Sequence, residues 1–183
     1  MKVFIIAEAG VNHNGSLETC KKLIDVSVKA GADAVKFQTF KAGKLVTTNA
    51  DKARYQSENT GTSELQIEML RRLELSPNVH KDLFAYCRQK NISFLSTPFD
   101  EESADMLDDL GMDIFKVSSG DITNKPLIQY IASKKKPIIL STGMSYLGEV
   151  ENAISWIDGI WNTMDQKPQL SVLHCVSSYP ARI

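Results

Sequence analysis

The sequence has little of what staples or breaks a small fold. Cys20, Cys87 and Cys175 are odd in number and widely spaced. That argues against a disulfide framework, fits a reducing cytoplasm, and is too scattered for a zinc cluster. An excess of charge of one sign is also missing. Lysine plus arginine is 21 against 22 for aspartate plus glutamate, a net charge of -1. No global basic field is present to hold nucleic acid or an anionic membrane. The longest basic run, Lys134-Lys135-Lys136, reads as the solvated end of a helix. No apolar stretch approaches the ~20 residues of a membrane span. The opening run 3–7 is too short for the core of a signal peptide. Glycine-rich nucleotide loops are absent too, since residues 8–15 lack the G-x-G-x-x-G spacing and no G-x-x-x-x-G-K-[ST] occurs.

What is present is a strand-then-helix alternation. The 183 residues, 43% of them apolar, suit one soluble domain or part of a larger one. Short apolar runs predict strands at 3–7, 34–38, 93–96, 114–117, 137–141 and 171–174. Helices are expected between them. One follows the N-cap Ser16, packs Leu17, Cys20, Ile24 and Val28, and stops at Gly31. A short one covers 64–73. Ser76-Pro77 opens another that packs Leu83, Phe84 and Cys87. Residues 100–110 pack Ala104, Leu107 and Leu110 before Gly111. Residues 125–133 pack Leu127, Ile128 and Ile131, and 149–160 pack Val150, Ile154 and Ile157. Apolar strands alternating with helices imply an α/β fold with a parallel sheet. Polar residues directly after nearly every strand favour a (β/α) TIM-type barrel over a doubly wound sheet. The polar connection 40–62 has the length of a lid or binding loop.

The strand ends supply Glu8, Lys36 with Gln38, Ser96 with Thr97, Lys116 with Ser118 and Ser119, Ser141 with Thr142, and His174 with Ser177. Lys36 and Lys116 stand inside apolar strands, where a lysine needs a partner. Glu8 or Asp121 could supply one, leaving an internal ion pair, or a ligand could. Two such lysines among hydroxyls point to a small anion bearing phosphate or carboxylate. A Schiff-base aldolase on Lys116 or Lys36 is the enzymatic alternative. His13 and His174 are candidate metal ligands in a weak pattern, and His80 is expected at the start of a surface helix.

Seven segments in order carry a resemblance. They are 6–15 (Ile-Ala-Glu-Ala-Gly-Val-Asn-His-Asn-Gly), 31–39 (Gly-Ala-Asp-Ala-Val-Lys-Phe-Gln-Thr) and 68–76 (Glu-Met-Leu-Arg-Arg-Leu-Glu-Leu-Ser). Then come 94–100 (Phe-Leu-Ser-Thr-Pro-Phe-Asp), 115–124 (Phe-Lys-Val-Ser-Ser-Gly-Asp-Ile-Thr-Asn), 137–144 (Pro-Ile-Ile-Leu-Ser-Thr-Gly-Met) and 173–180 (Leu-His-Cys-Val-Ser-Ser-Tyr-Pro). Along essentially its whole length the chain resembles the N-acetylneuraminate (sialic acid) synthase family, legionaminate and pseudaminate synthases included.

The resemblance implies condensation of phosphoenolpyruvate with an N-acylhexosamine, such as N-acetylmannosamine, to a nonulosonic acid and phosphate. It implies a (β/α)₈ barrel, a following antifreeze-like domain, a homodimer, and Mn²⁺ or Mg²⁺ polarising the sugar aldehyde. By motif, Lys36, Thr97, Lys116, Ser119 and Ser177 would hold phosphoenolpyruvate, and Gln38 and Tyr179 the sugar. Asp121 or Glu8 would be the catalytic carboxylate. Asp121 stands where some members carry glutamate. The family's two histidine metal ligands, its last two strands and its antifreeze-like domain would lie beyond residue 183. A complete barrel takes about 250 residues, so the expectation is a barrel truncated to about its first six βα units. A chain so truncated is expected to be inactive or strongly impaired, and prone to associate. The alternatives are a non-catalytic product of an interrupted gene, or a subunit completed by a second chain.

Overall fold

The computed structural model describes residues 3–47 and 65–177. Its strands are β1 (Ile6–Gly10), β2 (Ala34–Thr39), β3 (Ser93–Pro98), β4 (Phe115–Val117), β5 (Ile138–Ser141) and β6 (Leu170–Leu173). Its helices are α1 (Leu17–Lys29), α2 (Ala42–Leu45), α3 (Gln66–Leu73), α4 (Pro77–Gln89), α5 (Glu101–Asp109), α6 (Lys125–Ser133) and α7 (Leu147–Trp161), with one 3₁₀ turn at Ser119–Asp121. The chain is α/β, as the alternation implied. Strands follow sequence order in two three-stranded sheets, β1-β2-β3 and β4-β5-β6, and the pairs β1–β2, β4–β5 and β5–β6 are parallel. Two compact units divide the chain, Met1–Phe94 and Leu95–Ile183.

In the first unit, β1 begins later than its apolar run suggested. Val3, Phe4 and Ile5 are exposed, and the strand runs on through Glu8 to Gly10. The reason is electrostatic: Glu8 lies opposite Lys36 in the parallel register and forms an ion pair with it, so a polar residue remains in the ladder. The register shifts between Glu8 and Gly10, and Gly10 takes a positive φ of 53°, a conformation that favours glycine. Helix α1 is capped as expected, with Ser16 Oγ accepting the Thr19 N–H at 3.2 Å. Its buried stripe is Cys20, Ile24 and Ser27, while Val28 is exposed. Ser27 tolerates burial because its hydroxyl donates to the Leu23 carbonyl at 2.7 Å. Phe37 stacks on Phe94 at 5.8 Å, and Phe84 meets Phe94 edge-on at 5.9 Å. Burying such a side chain contributes about 1.5–3 kcal/mol. Of the connection expected at 40–62, α2 is described, and residues 48–62 lie outside the described residues. Glu74 ties α2 to the exit of α3, accepting from Lys41 Nζ at 3.0 Å and from the Ala42 N–H at 2.9 Å.

In the second unit, Asp100 caps α5 by accepting the Ser103 N–H at 2.9 Å, and Asn124 caps α6 ahead of Pro126. The expected stripe of α6, Leu127, Ile128 and Ile131, is buried. Helix α7 begins two residues before and ends one residue after the expected 149–160. It buries Ala153, Ile157 and Trp161, and the Trp161 indole N–H reaches the Ala132 carbonyl at 3.0 Å.

One local pattern occurs in both units. Asp25, Gly31, Asp33 and Lys36 are spaced as Asp105, Gly111, Asp113 and Lys116 are. In the first unit the Tyr86 hydroxyl donates to Asp25 at 3.0 Å, Lys90 pairs with Asp25 at 2.6 Å, and the ammonium lies over the Tyr86 ring at 5.0 Å. In the second, Tyr130 donates to Asp105 at 2.7 Å, Lys134 pairs with Asp105, and Lys134 lies 4.8 Å from the Tyr130 ring centre. Both lysines cap a helix C-terminus and precede a left-handed residue, Asn91 or Lys135. The two clamps fasten α1 to α4 and α5 to α6.

Candidate functional site

The candidate residues fall on both units. In the first, β2 carries Lys36 and Gln38. Lys36 is 9% exposed and its ammonium lies 2.6 Å from Glu8, whose side chain is 51% exposed. Of the two carboxylates considered for the strand lysines, Glu8 is the one beside Lys36. Gln38 is half-buried and shares the Lys36 face of the strand by alternation.

The opposite face of β2 carries Phe37 and Thr39, both buried. Here the histidines depart from expectation. His80 is 1% exposed, so it does not belong to a surface. Its Nδ1 lies 3.0 Å from the Ser76 carbonyl and its Nε2 lies 2.9 Å from Thr39 Oγ1. A carbonyl only accepts, so Nδ1 carries the proton and the threonine hydroxyl donates to Nε2. His13 is fully buried, with its ring 6.2 Å from Phe37. Its Nδ1 accepts the Gly15 N–H at 2.9 Å, which puts the proton on Nε2, a donor without a partner among the described residues. Burial holds His13 below the ordinary histidine range, and His80 beside it adds to the effect. Burial also lowers His80, with Lys41 contributing and the Ser76 bond opposing.

The second unit carries Thr97, Lys116, Ser119, Asp121 and Ser177. Thr97, at the end of β3, is 2% exposed. Lys116 is 6% exposed and donates to the Val117 carbonyl at 2.7 Å and to Ser141 Oγ at 2.5 Å. Ser119 and Asp121 follow β4 in the 3₁₀ turn, and the Ser118 hydroxyl donates to the Asp121 carboxylate. Ser119 Oγ accepts the Gly143 N–H at 2.9 Å. A Cβ on Gly143 would collide with Ser177 Oγ and crowd Ser119 Oγ. Ser119, Gly143 and Ser177 therefore lie together in one close polar cluster. Tyr179 lies outside the described residues.

Ser141 is among the polar strand-end residues of the sequence but carries no assigned role there, and Gly143 is not singled out. The signal for Ser141 was its place at the end of a strand. Nothing in the sequence marks Gly143 as a close-approach glycine. His174 is exposed one residue after β6. Among the described residues no group of three or more His, Cys, Asp or Glu could hold a metal ion. Cys20 and Cys87 are free and buried, and burial pushes their thiols up to about 11 and about 12. No helix among the described residues is long and apolar enough to cross a membrane.

The chain is 49% identical over 98% of its length to the N,N'-diacetyllegionaminic acid synthase of Campylobacter jejuni, covering 53% of that protein. It is 49% identical over 99% of its length to the N,N'-diacetyllegionaminic acid synthase of Legionella pneumophila, covering 51% of it. It thus spans about half the length of these curated relatives. Among solved structures, the N-acetylneuraminic acid synthetase of Leptospira borgpetersenii superposes with a TM-score of 0.82 at 33% identity, over all of this chain and 57% of that one. A sequence model of the NeuB family matches residues 23–183. The chain belongs to the NeuB family.

Proposed function

We propose that this chain carries the phosphoenolpyruvate-binding part of a nonulosonic acid synthase, as the first six βα units of a TIM-type barrel. The observation that carries the reading is Lys116, a buried ammonium set between a backbone carbonyl and the Ser141 hydroxyl. The polar cluster of Ser119, Gly143 and Ser177 supports it, as do relatives that are legionaminic and sialic acid synthases.

In this reading Lys36 and Lys116 neutralise the phosphate and carboxylate of phosphoenolpyruvate, and Thr97, Ser119 and Ser177 supply hydroxyls to its oxygens. Gln38 and Tyr179 contact the N-acylhexosamine. The C2–C3 π electrons of the enol phosphate form the new bond to the aldehyde carbon, and the aldehyde oxygen takes up a proton. C2, left oxocarbenium-like, is attacked by water, which gives its proton to a carboxylate. Asp121, polarised by the Ser118 hydroxyl, is the base in this scheme, and Glu8 stabilises the cationic C2. Phosphate then leaves C2 as the ketone forms. A divalent ion would polarise the aldehyde when bound. Its ligands, the antifreeze-like domain and the homodimer contacts belong to the rest of the protein in this reading.

Two measurements test it. Titration of this chain with phosphoenolpyruvate, followed by ³¹P NMR, is expected to show saturable binding. Phosphate release that requires an N-acylhexosamine is expected when the chain is continued by the C-terminal half of the Campylobacter relative. No binding would overturn the phosphoenolpyruvate site. Binding with no sugar-dependent release, or a lysine adduct trapped by borohydride, would overturn the condensation.

A further inference from the structure

The Thr39–His80 hydrogen bond sits where a strand end meets a helix start. Thr39 is the last residue of β2 and His80 lies in the first turn of α4. Both are buried, at 4% and 1% exposure. His80 is held from both ring nitrogens, and the Ser76 carbonyl that receives its Nδ1–H also receives its backbone N–H at 3.1 Å. Ser76 in turn caps α4, its hydroxyl accepting the Val79 N–H at 3.3 Å. The imidazole is therefore a rigid link between the cap of α4 and the end of β2. Thr39 lies beside Gln38 in sequence and on the opposite face of the strand from Lys36.

The far end of β2 is held differently. Ala34 donates its N–H to the Ile5 carbonyl at 3.1 Å, and the Asp33 carboxylate accepts the Ile5 N–H at 2.9 Å. Lys36 lies between these two anchors, and its ion pair with Glu8 depends on the register they set.

We propose that Thr39 and His80 are positioning residues: their hydrogen bond fastens the end of β2 to α4 and so holds Lys36 and Gln38 in register for the ligand. The ligand named in the test, phosphoenolpyruvate, rests on the reading given above. The fastening itself does not.

The variants are Thr39→Val, which keeps the shape and loses the hydroxyl, and Thr39→Ser, which keeps the hydroxyl. In the chain as it stands, long-range ¹⁵N–¹H spectra are expected to show His80 protonated on Nδ1. Thr39→Val should shift the His80 Nε2 resonance and the amide resonances of Lys36 and Gln38, and Thr39→Ser should leave them near wild type. For phosphoenolpyruvate, Thr39→Val should raise Kd about fivefold, the worth of one ordinary hydrogen bond, and Thr39→Ser should restore it. Lower thermal stability in Thr39→Val, with Lys36 and Gln38 resonances and Kd unchanged, would overturn the proposal and leave a structural role. Wild-type protein that binds no phosphoenolpyruvate would sink the ligand reading, while the resonances would still decide the positioning role.

Discussion

The two units place a lysine at the same position of the same local pattern and surround it differently. Lys36 meets a carboxylate, and that carboxylate is half open to solvent. Lys116 donates to a carbonyl and a hydroxyl. Glu8 offsets positive charge in the first unit before any ligand arrives, whereas a carbonyl and a hydroxyl oxygen orient Lys116. An incoming anion competes with Glu8 for the first lysine. The helix clamps behind these strands are alike, so the difference lies in the strand neighbours and not in the scaffold.

Removing the lysines should break the comparison most sharply. Lys116→Met is expected to weaken phosphoenolpyruvate binding on the order of 100-fold, as loss of charge-assisted hydrogen bonds does. Lys36→Met should cost about tenfold, because Glu8 already offsets part of that charge. Calorimetric Kd values check this, and equal losses would erase the distinction. Changing the partners should give opposite signs. Ser141→Ala should weaken binding about fivefold, while Glu8→Gln should tighten it about threefold by removing a carboxylate that competes for Lys36.

Acid should separate the units next. The buried histidines among the described residues, His13 and His80, both belong to the first unit, and both are held below their ordinary pKa. The unfolded chain therefore binds more protons than the folded one just below pH 6.5. Stability is fully present above that value and is lost as pH falls through it. Hydrogen exchange between pH 7 and 5.5 should show protection falling in residues 3–47 and 65–94 before residues 95–177. The carboxylates lowered by their lysines, Asp25 by Lys90 and Asp105 by Lys134, titrate at more acid pH and do not blur that window. The clamps should give the smallest effects. Tyr86→Phe and Tyr130→Phe remove equivalent hydroxyls from half-buried pairs, and each should lower Tm by no more than about 2 °C. A much larger loss in one would show that the clamps are not equivalent.

Much of this was legible from the residues. The α/β alternation followed from periodicity. Ser16 and Ser76-Pro77 open their helices, and Gly31 and Gly111 follow theirs with positive φ. The strand lysines were visible because a charge inside an apolar run has few explanations. Less legible were the start of β1 and the burial of His80. Hydropathy placed Glu8 after the strand, but an ion pair with a residue far along the chain kept it within. His80 looked like a surface residue because a helical wheel does not show that a threonine at a strand end will donate to its Nε2.

The sequence by itself determined the elements and their caps, since these depend on neighbours a few residues apart. It also determined the family, since ordered motifs need no geometry. Only the tertiary structure decided which carboxylate Lys36 meets, which hydroxyl Lys116 meets, that Gly143 packs against Ser119 and Ser177, and that two histidines are buried. Each of those depends on groups brought together from distant points of the chain. There a few ångströms separate a hydrogen bond from a collision, and burial rather than residue type sets the charge.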